Sequence, residues 1–164
     1  MYQASVPAFL QMLNALSAVL DKGVAYARSR GMDPATLAQA RLAPDMLPLA
    51  AQVQIATDHA KGATARLAGR EAPKFEDNET SFEDLKARIA KTVAFVEGVP
   101  ENEMDGSEDR TISLTIAGNP MTFTGRVYLF QFAVPNFYFH VTTAYDILRQ
   151  NGVPIGKRDF MGAT

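Results

Sequence analysis

The chain has 164 residues, of which 47% are hydrophobic and 21% charged, with a formal net charge of −2. That length and apolar content suit one core and leave no room for a second, so residues 1–164 are read as a single domain. The near balance of charge offers no basic field for nucleic acid or anionic lipid, so neither is an expected partner, and the lack of cysteine excludes disulfides, thiolate metal sites and a thiol nucleophile.

Met1-Tyr2-Gln3-Ala4-Ser5 lacks the basic start and apolar core of a secretory signal, which makes the cytoplasm the expected location. From about Pro7, Phe9, Met12, Leu13, Leu16, Leu20, Val24 and Ala27 recur at spacings of three and four, as on one stripe of a helix ended by Gly31. Asp33-Pro34 reads as an N-cap and first-turn proline for a short helix over Ala35 to Arg41. A second long helix is expected from about Pro48 to Leu67, with Leu49, Val53, Ala56, Ala60, Ala63 and Leu67 as its seam.

Residues 70–79 hold Pro73, Asn78 and many charges without periodicity, a connection long enough to cross a bundle and to permit an up-down-down-up arrangement. Thr80-Ser81-Phe82-Glu83 reads as a capping box with Thr80 as the cap, ahead of the stripe Phe82, Leu85, Ile89, Val93 and Val96. Ile112, Leu114 and Ile116 then alternate with Ser113 and Thr115, Gly118-Asn119 supplies a turn, and Met121 and Phe123 alternate with Thr122 and Thr124. The expected element is a β-hairpin over about 110–125, too small to stand without helices beneath it. A last helix carries Phe137, Val141, Ala144, Tyr145 and Leu148 to a stop at Asn151-Gly152, followed by a tail over about 152–164. The uncharged run from Val127 to Thr143 contains Gln131, Pro135, Asn136 and His140, so it reads as a buried segment and not as a membrane span.

The fold expected from these elements is mainly α: a four-helix bundle with a β-hairpin inserted before the last helix. Its only histidines are His59 in the second long helix and His140 in the last. His59 shares a helix side with Gln52, Ile55, Gly62 and Ala63, so its imidazole can face the interior and meet His140. Two neutral imidazoles and a third ligand hold a divalent metal with a position open for water; by spacing the third candidates are Asn136, Asp58 and Asp146. The competing reading has each histidine satisfied in the core by a hydroxyl of Thr57, Thr143 or Tyr145.

Asn136-Phe137-Tyr138-Phe139 surrounds a helical turn with large groups, which belong either in the core or beneath another subunit. An aromatic-walled pocket with Asn136, Tyr138, His140 and Tyr145 as its polar groups would suit a small molecule. The tail reads either as a lid that brings Lys157 and Arg158 to an anion or as an end piece docked by Phe160. No Walker loop, GxGxxG, GxSxG or HExxH is present.

The block FAVPNFYFHVTTAYDILRQNGVPIGKRDF, with MYQASVPAFLQMLNALSAVLDK at the start, closely resembles an uncharacterised domain-of-unknown-function family of the DinB-like superfamily, over essentially the whole chain. The resemblance implies the DinB-like four-helix bundle, a homodimer, and a fold whose members include metal-dependent hydrolases and thiol transferases. Their metal pattern is one histidine on the second helix and two, at i and i+4, on the last. His59 resembles the first and His140 the later of the pair, while the earlier position falls on Asn136, a carboxamide. The expected function is thus a degenerate metal-type pocket around His59, Asn136 and His140 that takes a small ligand or nothing. The alternatives are a zinc- or nickel-dependent enzyme using His59 and His140, and a non-catalytic dimeric interaction module.

Overall fold

A computed structural model describes residues 1–116 and 118–162; Ala117 of the expected hairpin and the last two residues of the expected tail lie outside the described residues. Helix α1 spans Val6–Ser29, α2 Pro34–Ala38, α3 Leu49–Leu67 and α4 Phe82–Glu97. After two 3-10 turns come β1 (Thr111–Ile116), β2 (Asn119–Thr124), the single turn α5 (Gly125–Val127), a π-helical stretch (Tyr128–Ala133), α6 (Val134–Gln150) and α7 (Lys157–Phe160). The mainly helical class and the inserted hairpin are as the periodicities predict.

The direction of each long helix follows from which ends meet. Asp21 and Arg28, late in α1, pair with Lys86 and Glu83, early in α4, while Gln3 reaches Glu101 just beyond α4, so α1 and α4 are antiparallel. Gln54, early in α3, donates to Glu79 just ahead of α4 at 2.9 Å, and Arg70 beyond α3 pairs with Glu103 beyond α4. Those two helices are therefore parallel. Gln52 meets His140 and Arg66 meets Tyr128, which makes α3 and α6 antiparallel. The result is an up-down-down-up bundle, and the connection from α3 to α4 travels the length of the molecule.

The apolar stripes close one core. Phe9 meets Phe137 edge-on at 4.8 Å between centroids, with Leu13, Leu20, Val53, Ala60, Leu85, Val141 and Leu148 buried around them. Tyr2–Ser29 is long and apolar enough to cross a membrane, yet Phe9, Leu13, Leu16 and Leu20 of this segment lie buried inside the bundle.

Three details differ from the sequence reading. The cap of α4 is Ser81, not Thr80: the Ser81 hydroxyl accepts from the Asp84 amide at 3.1 Å, and the Asp84 carboxylate accepts from the Ser81 amide at 3.0 Å. The box thus closes one residue later, because Asp84 also takes the Thr80 amide. In the hairpin Asn119 pairs with Ile116, so it belongs to β2, and Gly118 alone of the expected turn pair lies between the strands, with a φ of +82° that suits glycine. Finally, the last helix does not start afresh near Phe137, the first residue of its expected stripe. A helical run starts at Gly125, and the π-helical turn just upstream accommodates the ring and the missing N–H of Pro135.

Candidate functional site

The Phe132 carbonyl lies four residues before Asn136, whose side-chain amide donates to it at 2.7 Å. The π-helical turn therefore fixes Asn136 to its own helix. One turn later, on the same stripe of α6, stands His140. Across the seam α3 presents His59, and the two imidazoles lie nearly parallel, 13° apart, with centroids separated by 6.0 Å. The structure thus brings the two histidines together.

Gln52, seven residues before His59 and on the same side of α3, orients His140. Its amide nitrogen donates to the Leu47 carbonyl at 3.0 Å, so its oxygen faces His140 Nδ1, 2.7 Å away. An oxygen acceptor there requires the proton on Nδ1 and leaves Nε2 with its lone pair. The hydroxyl partners expected from sequence are engaged elsewhere. Thr57 donates to the Gln54 carbonyl and accepts from Arg88, Thr143 donates to the Phe139 carbonyl, and Tyr145 donates to the Ile155 carbonyl. His59 has ring contacts but no hydrogen-bond partner among the described residues.

The pair sits in an aromatic chain. Phe123 of the hairpin meets Phe132 at 5.7 Å, Phe132 meets His59 edge-on at 5.7 Å, and beyond His140 the ring of Phe139 stands at 5.1 Å, 89° from it. Phe137 is fully buried while Phe139 is 54% exposed, so the aromatic turn Asn136–Phe139 is core on one side and solvent-facing on the other. Tyr138 and Tyr145 do not join the histidines. Tyr138 lies two residues from His140, roughly 160° around the helix, and Tyr145 on that same stripe packs against Phe160 of α7 at 5.6 Å. The tail carrying α7 docks on α1 through the pair Lys22–Asp159 and the Gln11 amide on the Met161 carbonyl.

Burial, the facing His140 and the cation of Arg66 push the His59 pKa from 6.5 down to about 4, against the opposing pull of Asp58. Burial lowers His140 as well. Both imidazoles are therefore neutral at pH 7. In the unfolded chain His59 protonates near 6.5, so between that pH and about 4 the unfolded state holds a proton that the native state refuses. Stability is then full above pH 6.5 and falls as the pH drops towards 4. With allowance for the partial exposure of the ring, the loss is on the order of 2–3 kcal/mol. Urea unfolding at pH 7 and pH 4.5 measures it, and His59→Phe is expected to flatten this part of the profile; an unchanged slope in that variant would assign the acid sensitivity to other groups.

The donor set does not fit a three-ligand metal centre. No group of three histidine, cysteine or carboxylate side chains converges among the described residues. Asp58, next to His59 in sequence, is held by both Lys61 and Arg88, and Asn136 offers a carboxamide tied to backbone. Two further groups bear on the pair: Gln52, read from the sequence only as a neighbour on the His59 side of the helix, and Arg66, which the periodicity did not single out and whose cation lowers the His59 pKa. Arg66 lies seven residues after His59 on the same face of α3 and donates to the buried Tyr128 hydroxyl at 2.9 Å. Gln52 carries the orienting contact above. The i, i+7 spacing was the available signal for both.

Residues 1–161 match the family model of DUF1993, a domain of unknown function. A DinB family member protein from Shewanella denitrificans has a crystal structure similar to this chain, with a TM-score of 0.91 and 41% sequence identity, covering 99% of this chain and 92% of that one. Comparison with curated proteins finds no match.

Proposed function

The chain belongs to the DUF1993 family, and from that premise we propose that it is a DinB-like binding protein whose His59–His140 pair takes a small neutral ligand by hydrogen bonds, without a catalytic metal. One observation carries this reading: His59 presents a neutral imidazole with no hydrogen-bond partner among the described residues, beside a second imidazole fixed in one tautomer by Gln52. Such a pair offers one free ring N–H, on His59, and an acceptor nitrogen on each ring, His140 Nε2 among them, which suits a ligand with a hydroxyl, amide or protonated carboxyl group.

The resemblance to metal-dependent hydrolases and thiol transferases supports the fold more than the chemistry. Two imidazoles and a carboxamide are a poor substitute for three nitrogen ligands, because the carboxamide oxygen is neutral and weakly basic. Full-length protein incubated with zinc or nickel and then dialysed is expected to retain well under one metal per chain, as read by elemental analysis. Stoichiometric retention that disappears in His59→Ala would overturn the metal-free reading and restore the hydrolase or transferase alternative.

A further inference from the structure

Gly62 has no Cβ, and the space is taken: a methyl group there would lie 2.5 Å from an Arg66 guanidinium nitrogen. The side chain of Arg66 therefore folds back along α3 with its tip fixed by the Tyr128 hydroxyl. A neutral phenol leaves the charge of Arg66 uncompensated. Alongside runs a cleft of about 610 Å³ between the second half of α3 and the start of the long connection, lined by Lys61, Arg66, Arg70, Lys74, Asp58 and Glu71 with Phe75 as its apolar wall.

The charges in this cleft are unequally satisfied. Lys61 is paired with Asp58 and lies 4.0 Å from the centre of the Phe75 ring, and Arg70 is held by both oxygens of Glu103. Among the described residues Arg66 has no carboxylate partner and Lys74 is exposed with neither an ion pair nor a hydrogen bond, and against these two cations stands one carboxylate of the lining without an ion pair, the exposed Glu71. Arg66 and Lys74, a planar fork and a flexible ammonium, thus line the same cleft as the half-buried ring of Phe75, over which Lys61 and Arg88 already lie at 4.0 and 5.4 Å from its centre.

We propose that this cleft binds a small organic anion, an aryl or alkyl group bearing phosphate or carboxylate, with Arg66 and Lys74 on the charged group and Phe75 against the apolar body. The cleft needs no ligand at the imidazole pair, although the cation of Arg66 also acts on His59.

Phenyl phosphate, inorganic phosphate and benzoate titrated into the full-length protein at low salt, followed by amide chemical shifts, test the assignment. Phenyl phosphate is expected to saturate one site, with the largest shifts in residues 61–75 and at least tenfold weaker binding to Lys74→Gln and to Arg66→Gln. Lys74 is exposed, so its variant keeps the native fold and stays informative even where Arg66→Gln loses stability. Lys157→Gln is the control and is expected to bind as the parent does. Preference for benzoate over phenyl phosphate would identify a carboxylate as the natural anionic group. His59→Ala is expected to leave phenyl phosphate binding intact, which separates this site from the imidazole pair. Shifts spread over every basic residue, equal binding of inorganic phosphate and phenyl phosphate, or unchanged affinity in Lys74→Gln would mean an adventitious ion only and would overturn the proposal.

Discussion

Arg88→Met is expected to lower the unfolding free energy by about 3–5 kcal/mol, the cost of removing one partner from a buried charge cluster. The Arg88 side chain is only 1% exposed, yet it reaches Thr57 Oγ1 at 2.7 Å, Asp58 at 2.8 Å, Asp77 at 2.9 Å, Glu79 at 3.0 Å and the Glu76 carbonyl at 3.2 Å. Burial alone would weaken its hold on a proton, but Glu79, Asp58 and Asp77 outweigh burial and raise its pKa. Burial would raise Glu79 in turn, and hydrogen bonds from Gln54 and Arg88 reverse that and lower it. Methionine keeps much of the aliphatic volume and leaves the almost buried carboxylate of Glu79 without a cation and open to repulsion from Asp58 and Asp77. Urea denaturation gives the size of the loss, and adding Glu79→Gln to Arg88→Met should recover part of it by relieving that repulsion. A loss below about 1 kcal/mol would mean that the cluster is no stronger than a solvent-exposed ion pair. Because Asp77, Glu79 and the Glu76 carbonyl belong to the long connection, the same variant should speed hydrogen exchange across residues 70–80.

Gly125→Ala is expected to cost about 4 kcal/mol or more, or to prevent folding, because the clash is with main chain. A Cβ at Gly125 would sit 1.8 Å from the Ser107 carbonyl oxygen and 3.0 Å from its carbon. No rotamer relieves such a contact; the 3-10 turn at Ser107–Asp109 or the start of the last helical run must move. Gly156→Ala is the matched control, since a methyl there meets nothing within 4 Å and the φ of −140° is open to any residue. Thermal unfolding of the two variants should differ widely. Similar midpoints would show that the junction of β2 and α5 yields easily.

The long helices were legible because each carries an uninterrupted apolar stripe, from Phe9 to Ala27, Leu49 to Leu67 and Phe82 to Val96. The cap of α4 was misplaced by one residue because Thr80 and Ser81 are both hydroxyl residues and Glu83 and Asp84 are both acidic, so two frames of one motif fit the letters. The π-helical turn was hidden by Pro135, which ordinarily ends or begins a helix. At the candidate site the convergence of His59 and His140 followed from their shared seam. The partner of His140 did not, since a carboxamide seven residues from His59 and hydroxyls within a turn are equally plausible until the hydroxyls are seen bonded elsewhere. Arg88 was illegible for a different reason: three of its partners come from residues 76–79, where there is no periodicity to read.

The parallel run of α3 and α4 also governs the order in which the chain can assemble. The first long helix does not find its main antiparallel partner in the next one made but in α4, and the α3–α6 seam closes only when the C-terminal segment arrives. A nascent chain ending near residue 70 therefore holds two amphipathic helices with little of each other to bury. Contacts this distant in sequence make a bundle slower to nucleate than one built from successive helical hairpins. The Arg88 cluster bears directly on that delay, because it fastens the crossing segment to both helices as soon as α4 docks, before the hairpin and the last helix complete the core.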